Sequence, residues 1–111
     1  MLSVRDRLPD GELHVPALCD LEFASTLRRL LRQGLLTEHA ATEAIASYLD
    51  LPLFRHDHVP LLGRILDLRD NFTAYDASYV ALAELLDLPL LTRDQRLARA
   101  VRQHLPHVQL A

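Results

Sequence analysis

The chain has no lysine, one cysteine, three glycines and no long apolar run, and each shortage excludes something. A single cysteine, Cys19, cannot close an internal disulfide. No export signal is expected either, because Met1-Leu2-Ser3-Val4 meets charge at Arg5 and Asp6. Both features point to a reducing cytoplasmic setting, with Cys19 as a small buried hydrophobe at a helix start. Gly11, Gly34 and Gly63 are too few and too scattered for a Walker loop or a G-x-G-x-x-G turn. The apolar residues come in short broken runs, far below the roughly 20 that a membrane span needs. The absence of lysine weakens a phosphoacceptor reading of the clustered aspartates, since such domains also use a lysine at the sheet edge. The exclusive use of arginine is read first as genome composition. Net charge is −3 with histidines neutral, so the molecule as a whole is no magnet for polyanions.

What is present fits one globular domain. Half of the 111 residues are hydrophobic, and a chain of this size buries roughly 65% of its unfolded surface. No repeat, linker or low-complexity tract interrupts it. Asp10-Gly11 signals a turn, and residues 12–15 alternate as a short strand ending at Pro16. A helical pattern follows from Ala17 to Gln33, with Phe23, Ala24, Leu27, Leu30 and Leu31 on one side and Gly34 as its stop. Thr37 caps a helix to about Leu49. Leu51 to Arg55 reads as a strand, and Pro60 opens a short helix to about Arg69. Residues 75–87 form a helix apolar nearly all round, hence buried on several sides. A strand at 89–92, an arginine-rich helix at 95–104 and a last strand at 108–110 complete the chain. Strands alternating with helices mean α/β with a parallel sheet.

In a parallel sheet the carboxyl ends of the strands share one edge, where ligands bind. Asp94 follows the strand 89–92, and Asp76 lies in the first turn of the helix that leads back to it. Asp20 and Glu22 lie in the first turns of the helix after strand 12–15. Asp20 falls toward the apolar side and Glu22 toward the polar side with Ser25 and Arg29. Each acid has an ordinary explanation. Thr73-Ala-Tyr-Asp76 fits a capping box, Asp94 fits an N-cap, and Glu22 could pair with Arg29 or be solvated. Together they point elsewhere. Like charges about 5 Å apart repel by about 3 kcal/mol at an effective dielectric near 20, so converging carboxylates either hold protons or bind a cation. Oxygen ligands alone suit Mg²⁺ or Mn²⁺, and such a site suits phosphodiester hydrolysis. His56-Asp57-His58 lacks further suitably spaced ligands and reads as a polar loop. Arg28, Arg29 and Arg32 form one basic face. Arg93, Arg96 and Arg99 form another beside Asp94, placed to hold an RNA backbone.

The stretch TAYDASYVALAELLDLPLLTRDQRLARA closely resembles the last two acidic motifs of PIN-domain ribonucleases of the VapC toxin type. ELHVPALCDLEFASTLRRLLRQG resembles the segment carrying their second acidic motif. The resemblance implies a PIN-like parallel sheet with helices on both faces. It also implies that Glu22, Asp76 and Asp94 are catalytic, metal-binding carboxylates, with Thr92 supporting Asp94. It further implies RNA cleavage with Mg²⁺ or Mn²⁺, homodimers and inhibition by a VapB-type antitoxin. The leucines 27, 30, 31 and 35 could serve either the core or such partners.

The resemblance breaks at the start. Family members open with a mid-sheet strand that ends in the first catalytic aspartate. Here LSVRDRLPDG reads as the tail of the helix that follows that strand, and no apolar strand precedes Asp6. The first strand is therefore expected to be missing, leaving its neighbours with unpaired backbone groups at about 1–3 kcal/mol each if buried. On this reading residues 1–111 are one N-terminally truncated PIN-like domain, or the natural start lies upstream. The alternative to an enzyme is then an inactive remnant that binds an antitoxin or a toxin protomer.

Overall fold

The computed structural model describes residues 4–7 as backbone and residues 12–111 in full. Four strands are formed by Val4–Arg7 (β1), Leu13–Pro16 (β2), Leu53–His56 (β3) and Leu91–Thr92 (β4). The helices are Leu18–Arg32 (α1), Glu38–Leu49 (α2), Leu62–Asp67 (α3), Ala74–Leu86 (α4) and Gln95–His104 (α5). A 3-10 turn, Val59–Leu61, leads into α3.

Local chemistry sets most of these boundaries. The Thr37 hydroxyl accepts from the Ala40 amide and starts α2. Thr73 does the same for α4 through the Asp76 amide, each satisfying a donor that a helix start leaves orphaned. Gly34 follows α1 at φ +71°, a left-handed conformation that glycine adopts without a Cβ clash. The tripeptide His56-Asp57-His58, expected to be a plain polar loop, is instead a junction. Asp57 accepts from the Val59 amide and starts the 3-10 turn, while His58 Nε2 accepts from the Leu18 amide and ties down the start of α1.

The sheet order is β3-β2-β1-β4. β2 and β3 are parallel, with Leu13 opposite Leu53 and Pro16 opposite His56. β1 is antiparallel to β2 and to β4, so β2, β3 and β4 all point the same way. Their carboxyl ends therefore share one edge, as the α/β reading requires. The strand expected at 108–110 is reduced to one parallel bridge between Leu90 and Leu110.

β1 overturns one expectation. LSVRDRLPDG was read as a helix tail, yet its Val4–Arg7 is a strand in mid-sheet, pairing Asp6 with His14 and Val4 with Thr92. Two flanking strands offer rows of unpaired amides and carbonyls, and a short extended segment satisfies both. The slot expected to be empty is occupied, and Asp6 belongs to a strand. The turn expected at Asp10-Gly11 lies outside the described residues.

The core forms around α4, where every residue from Asp76 to Ala83 is buried. α4 packs on β2 and α3. Ala77, Tyr79, Val80 and Ala83 join Leu90, Leu97, Val101 and Leu105 in one apolar cluster. Each fully buried leucine or valine there contributes about 1.5–3 kcal/mol. A core gathered around this helix holds its first turn, and hence Asp76, rigidly at the carboxyl edge.

Candidate active site

Asp76 and Asp94 reach the same edge by different local devices. Asp76 gives its amide to the Thr73 cap at 3.0 Å, which leaves its carboxylate for other work, and its side chain is only 8% exposed. Asp94 is itself the cap of α5, its Oδ1 accepting from the amides of Arg96 at 2.9 Å and Leu97 at 3.2 Å. The Thr92 hydroxyl accepts from the Asp94 amide at 3.0 Å and pins the turn between β4 and α5. The second oxygen of Asp94 and the buried carboxylate of Asp76 meet at one group. Arg96 Nη2 lies 3.2 Å from Asp76 Oδ2 and 3.5 Å from Asp94 Oδ2.

Glu22 comes from the second turn of α1, half-buried, and accepts a hydrogen bond from the Tyr79 hydroxyl of α4. Neither a pair with Arg29 nor full solvation, the ordinary explanations for this residue, describes it. Burial and the negative charge of Asp76 hold its carboxyl above the usual range, and the Tyr79 hydrogen bond acts against them. Burial and the bond to Glu22 push the Tyr79 phenol upward in turn. Tyr79 therefore keeps its proton and donates it to Glu22.

The structure thus links the three acids in a chain. Glu22 feels the charge of Asp76, and Asp76 shares a guanidinium with Asp94. Among the described residues no three His, Cys, Asp or Glu side chains come close enough together to hold a metal ion between them. The donor set nevertheless suits a hard divalent cation, being carboxylate oxygen throughout. The space between Asp76 and Asp94 already accommodates a positive group.

Neighbouring polar groups divide cleanly from this set. Asp20, two residues from Glu22, turns away to Arg55, whose Nε lies 2.9 and 2.8 Å from its two oxygens, and to the Tyr48 hydroxyl at 2.7 Å. The Arg55 bond holds its carboxyl below the usual range. His14 Nδ1 and His56 Nε2 lie 2.8 Å apart, joining β2 to β3. Arg93, Arg96 and Arg99 are exposed on the α5 side, and Arg28, Arg29 and Arg32 on α1.

Two participants escaped the sequence reading, Tyr79 as the partner of Glu22 and Arg96 as the partner of Asp76. Both left a signal. Tyr79 stands three residues after Asp76 and so shares its helix face. Arg96 is a cation in the first turn of a helix, where the dipole disfavours it unless an anion is near.

The sequence model of the PIN domain matches residues 2–103. VapC ribonuclease Mb0985 of Mycobacterium bovis is 44% identical over 96 residues, covering 86% of this chain and 76% of the relative. Ribonuclease VapC3 of Mycobacterium tuberculosis is 42% identical over 98 residues, 88% of this chain and 72% of its own length. Ribonuclease VapC12 of the same organism is 36% identical over 98 residues, with 88% and 76% covered. The carboxylates at the sheet edge thus sit in a sequence matched along nearly its whole length, and the chain belongs to the PIN-domain family, of the VapC type.

Proposed function

We propose that the chain, acting as a single domain over residues 1–111, is a metal-dependent endoribonuclease and the toxin of a toxin–antitoxin pair. The observation that carries this reading is the pair Asp76 and Asp94, brought from two helix starts onto one cationic group at the carboxyl edge. Relatives named as ribonucleases over most of the chain support it. They also disfavour the alternative of an inactive binding remnant.

In this mechanism Asp76 and Asp94, with Glu22 beside them, are the residues that would hold Mg²⁺ or Mn²⁺. A bound ion of this kind supplies Lewis acidity at a phosphoryl oxygen and lowers the pKa of adjacent water. The protein's part is position and charge. Thr73 and Thr92 fix the backbone from which Asp76 and Asp94 project, and Tyr79 orients Glu22. Burial of Asp76 in the first turn of α4 sets the depth to which the phosphodiester must approach. Arg93 and Arg96, exposed beside Asp94, bind the RNA backbone, Arg96 once it has left the carboxylates.

A VapB-type antitoxin and a second copy of the chain are the protein partners in this reading. The large exposed apolar side chains of α1, α2 and the loops after them, among them Leu21, Leu35 and Leu49, offer surface for them. A cytoplasmic location, where RNA substrate is at hand, belongs to the same reading. No helix among the described residues is long and apolar enough to cross a membrane.

The test is cleavage of a mixed-sequence RNA by purified protein with Mn²⁺. Cleavage is expected to stop with chelator and in Asp76→Asn, whose circular dichroism stays that of the wild type. Undiminished cleavage by Asp76→Asn would sink the assignment.

A further inference from the structure

We propose that Arg96 competes with the divalent cation for Asp76 and Asp94: its guanidinium neutralises the two carboxylates when no ion is bound and must leave them when one binds. This rests on the metal-dependent reading above and adds a residue that sets how tightly the site takes its ion.

Four observations carry it. The guanidinium reaches both acids, at 3.2 Å from Asp76 Oδ2 and 3.5 Å from Asp94 Oδ2, and among the described residues no other cationic side chain bridges two of the site's acids. Asp76 is 8% exposed and needs a positive partner, because a buried unpaired carboxylate is costly. Arg96 occupies the second position of α5, where the helix dipole repels a cation, so the carboxylates rather than the helix hold it there. Its own side chain is 66% exposed and free to swing outward without disturbing the core. A dication on the same oxygens would repel a guanidinium at these distances. Arginine stays charged across the whole working pH range, so this competition cannot be relieved by deprotonation. The displaced guanidinium then becomes free for a phosphate, which couples loading of the ion to binding of RNA.

Calorimetric titration of Mn²⁺ into the wild type, Arg96→Gln, Arg96→Lys and Asp76→Asn tests this without any activity measurement. An exposed arginine against acids is a modest interaction, so Arg96→Gln is expected to bind Mn²⁺ about three- to tenfold tighter. Arg96→Lys, which keeps the charge, stays near the wild type, and Asp76→Asn loses binding. A purely structural Arg96 predicts the opposite sign, weaker binding in Arg96→Gln. Unchanged or weaker binding there, with Asp76→Asn still defective, overturns the competition and leaves the metal site standing. Equal tightening by glutamine and lysine also overturns it, since charge is then not the cause. If neither the wild type nor Arg96→Gln takes up Mn²⁺, the competition falls together with the metal-dependent reading.

Discussion

Glu22→Gln should make the protein more stable at neutral pH in the presence of chelator, and should abolish RNA cleavage when Mn²⁺ is supplied instead. The carboxyl of Glu22 is half-buried, near Asp76, and its proton affinity is raised by that burial and that charge. A group with a raised folded pKa contributes its stability below the unfolded value and loses it as pH rises through the folded one, because the folded state then binds more protons. Above that raised value the ionised Glu22 is therefore a burden. Partial burial of the charge is the largest cost, about 1–3 kcal/mol for a polar group taken from water, and repulsion by Asp76 is a smaller addition. The Tyr79 hydrogen bond, stronger by about 1 kcal/mol to a charged acceptor than to an amide, offsets part of this. Glutamine keeps the shape and still accepts from Tyr79. The net gain is about 1 kcal/mol, or about 3–6 °C in Tm for a domain of this size. The assay is thermal unfolding of both proteins from pH 3 to pH 8 with chelator. The gap should be full at pH 8, shrink as pH falls through the raised carboxyl value, and vanish below the ordinary one. A less stable Glu22→Gln at pH 8, or a gap independent of pH, would refute the electrostatic account of this residue.

Two further outcomes separate the site from its surroundings. Asp20→Asn should leave Mn²⁺-dependent cleavage within about twofold of wild type and cost at most about 1 kcal/mol in denaturant unfolding, since Asp20 serves a partly exposed pair with Arg55. Thr73→Ala should cost about 1 kcal/mol through loss of the cap and reduce cleavage more than that instability explains, because the same cap fixes the backbone of Asp76. Denaturant titration alongside initial cleavage rates reads both.

Much of the fold was legible because its signals are local. Thr37, Thr73 and Asp94 announce helix starts by a side chain that reaches two or three residues along. The apolar run from Ala77 to Ala83 announces a helix buried all round. Strands β2, β3 and β4 are short apolar or alternating runs at the expected places. β1 was not legible, because Val-Arg-Asp-Arg has no strand pattern of its own. Its strand state comes from the ladders of β2 and β4 on either side.

The candidate site divides in the same way. By itself the sequence determined which acids stand at helix starts, and the order of strands and helices that sends those starts to one edge of a sheet. Only the tertiary structure decided the partner of each acid. Glu22 meets Tyr79 across 57 residues, Asp20 meets Arg55 across 35, and Asp76 meets Arg96 across 20. Capping is settled within one turn of backbone, whereas a charge pair depends on where two separately folded segments aim their side chains.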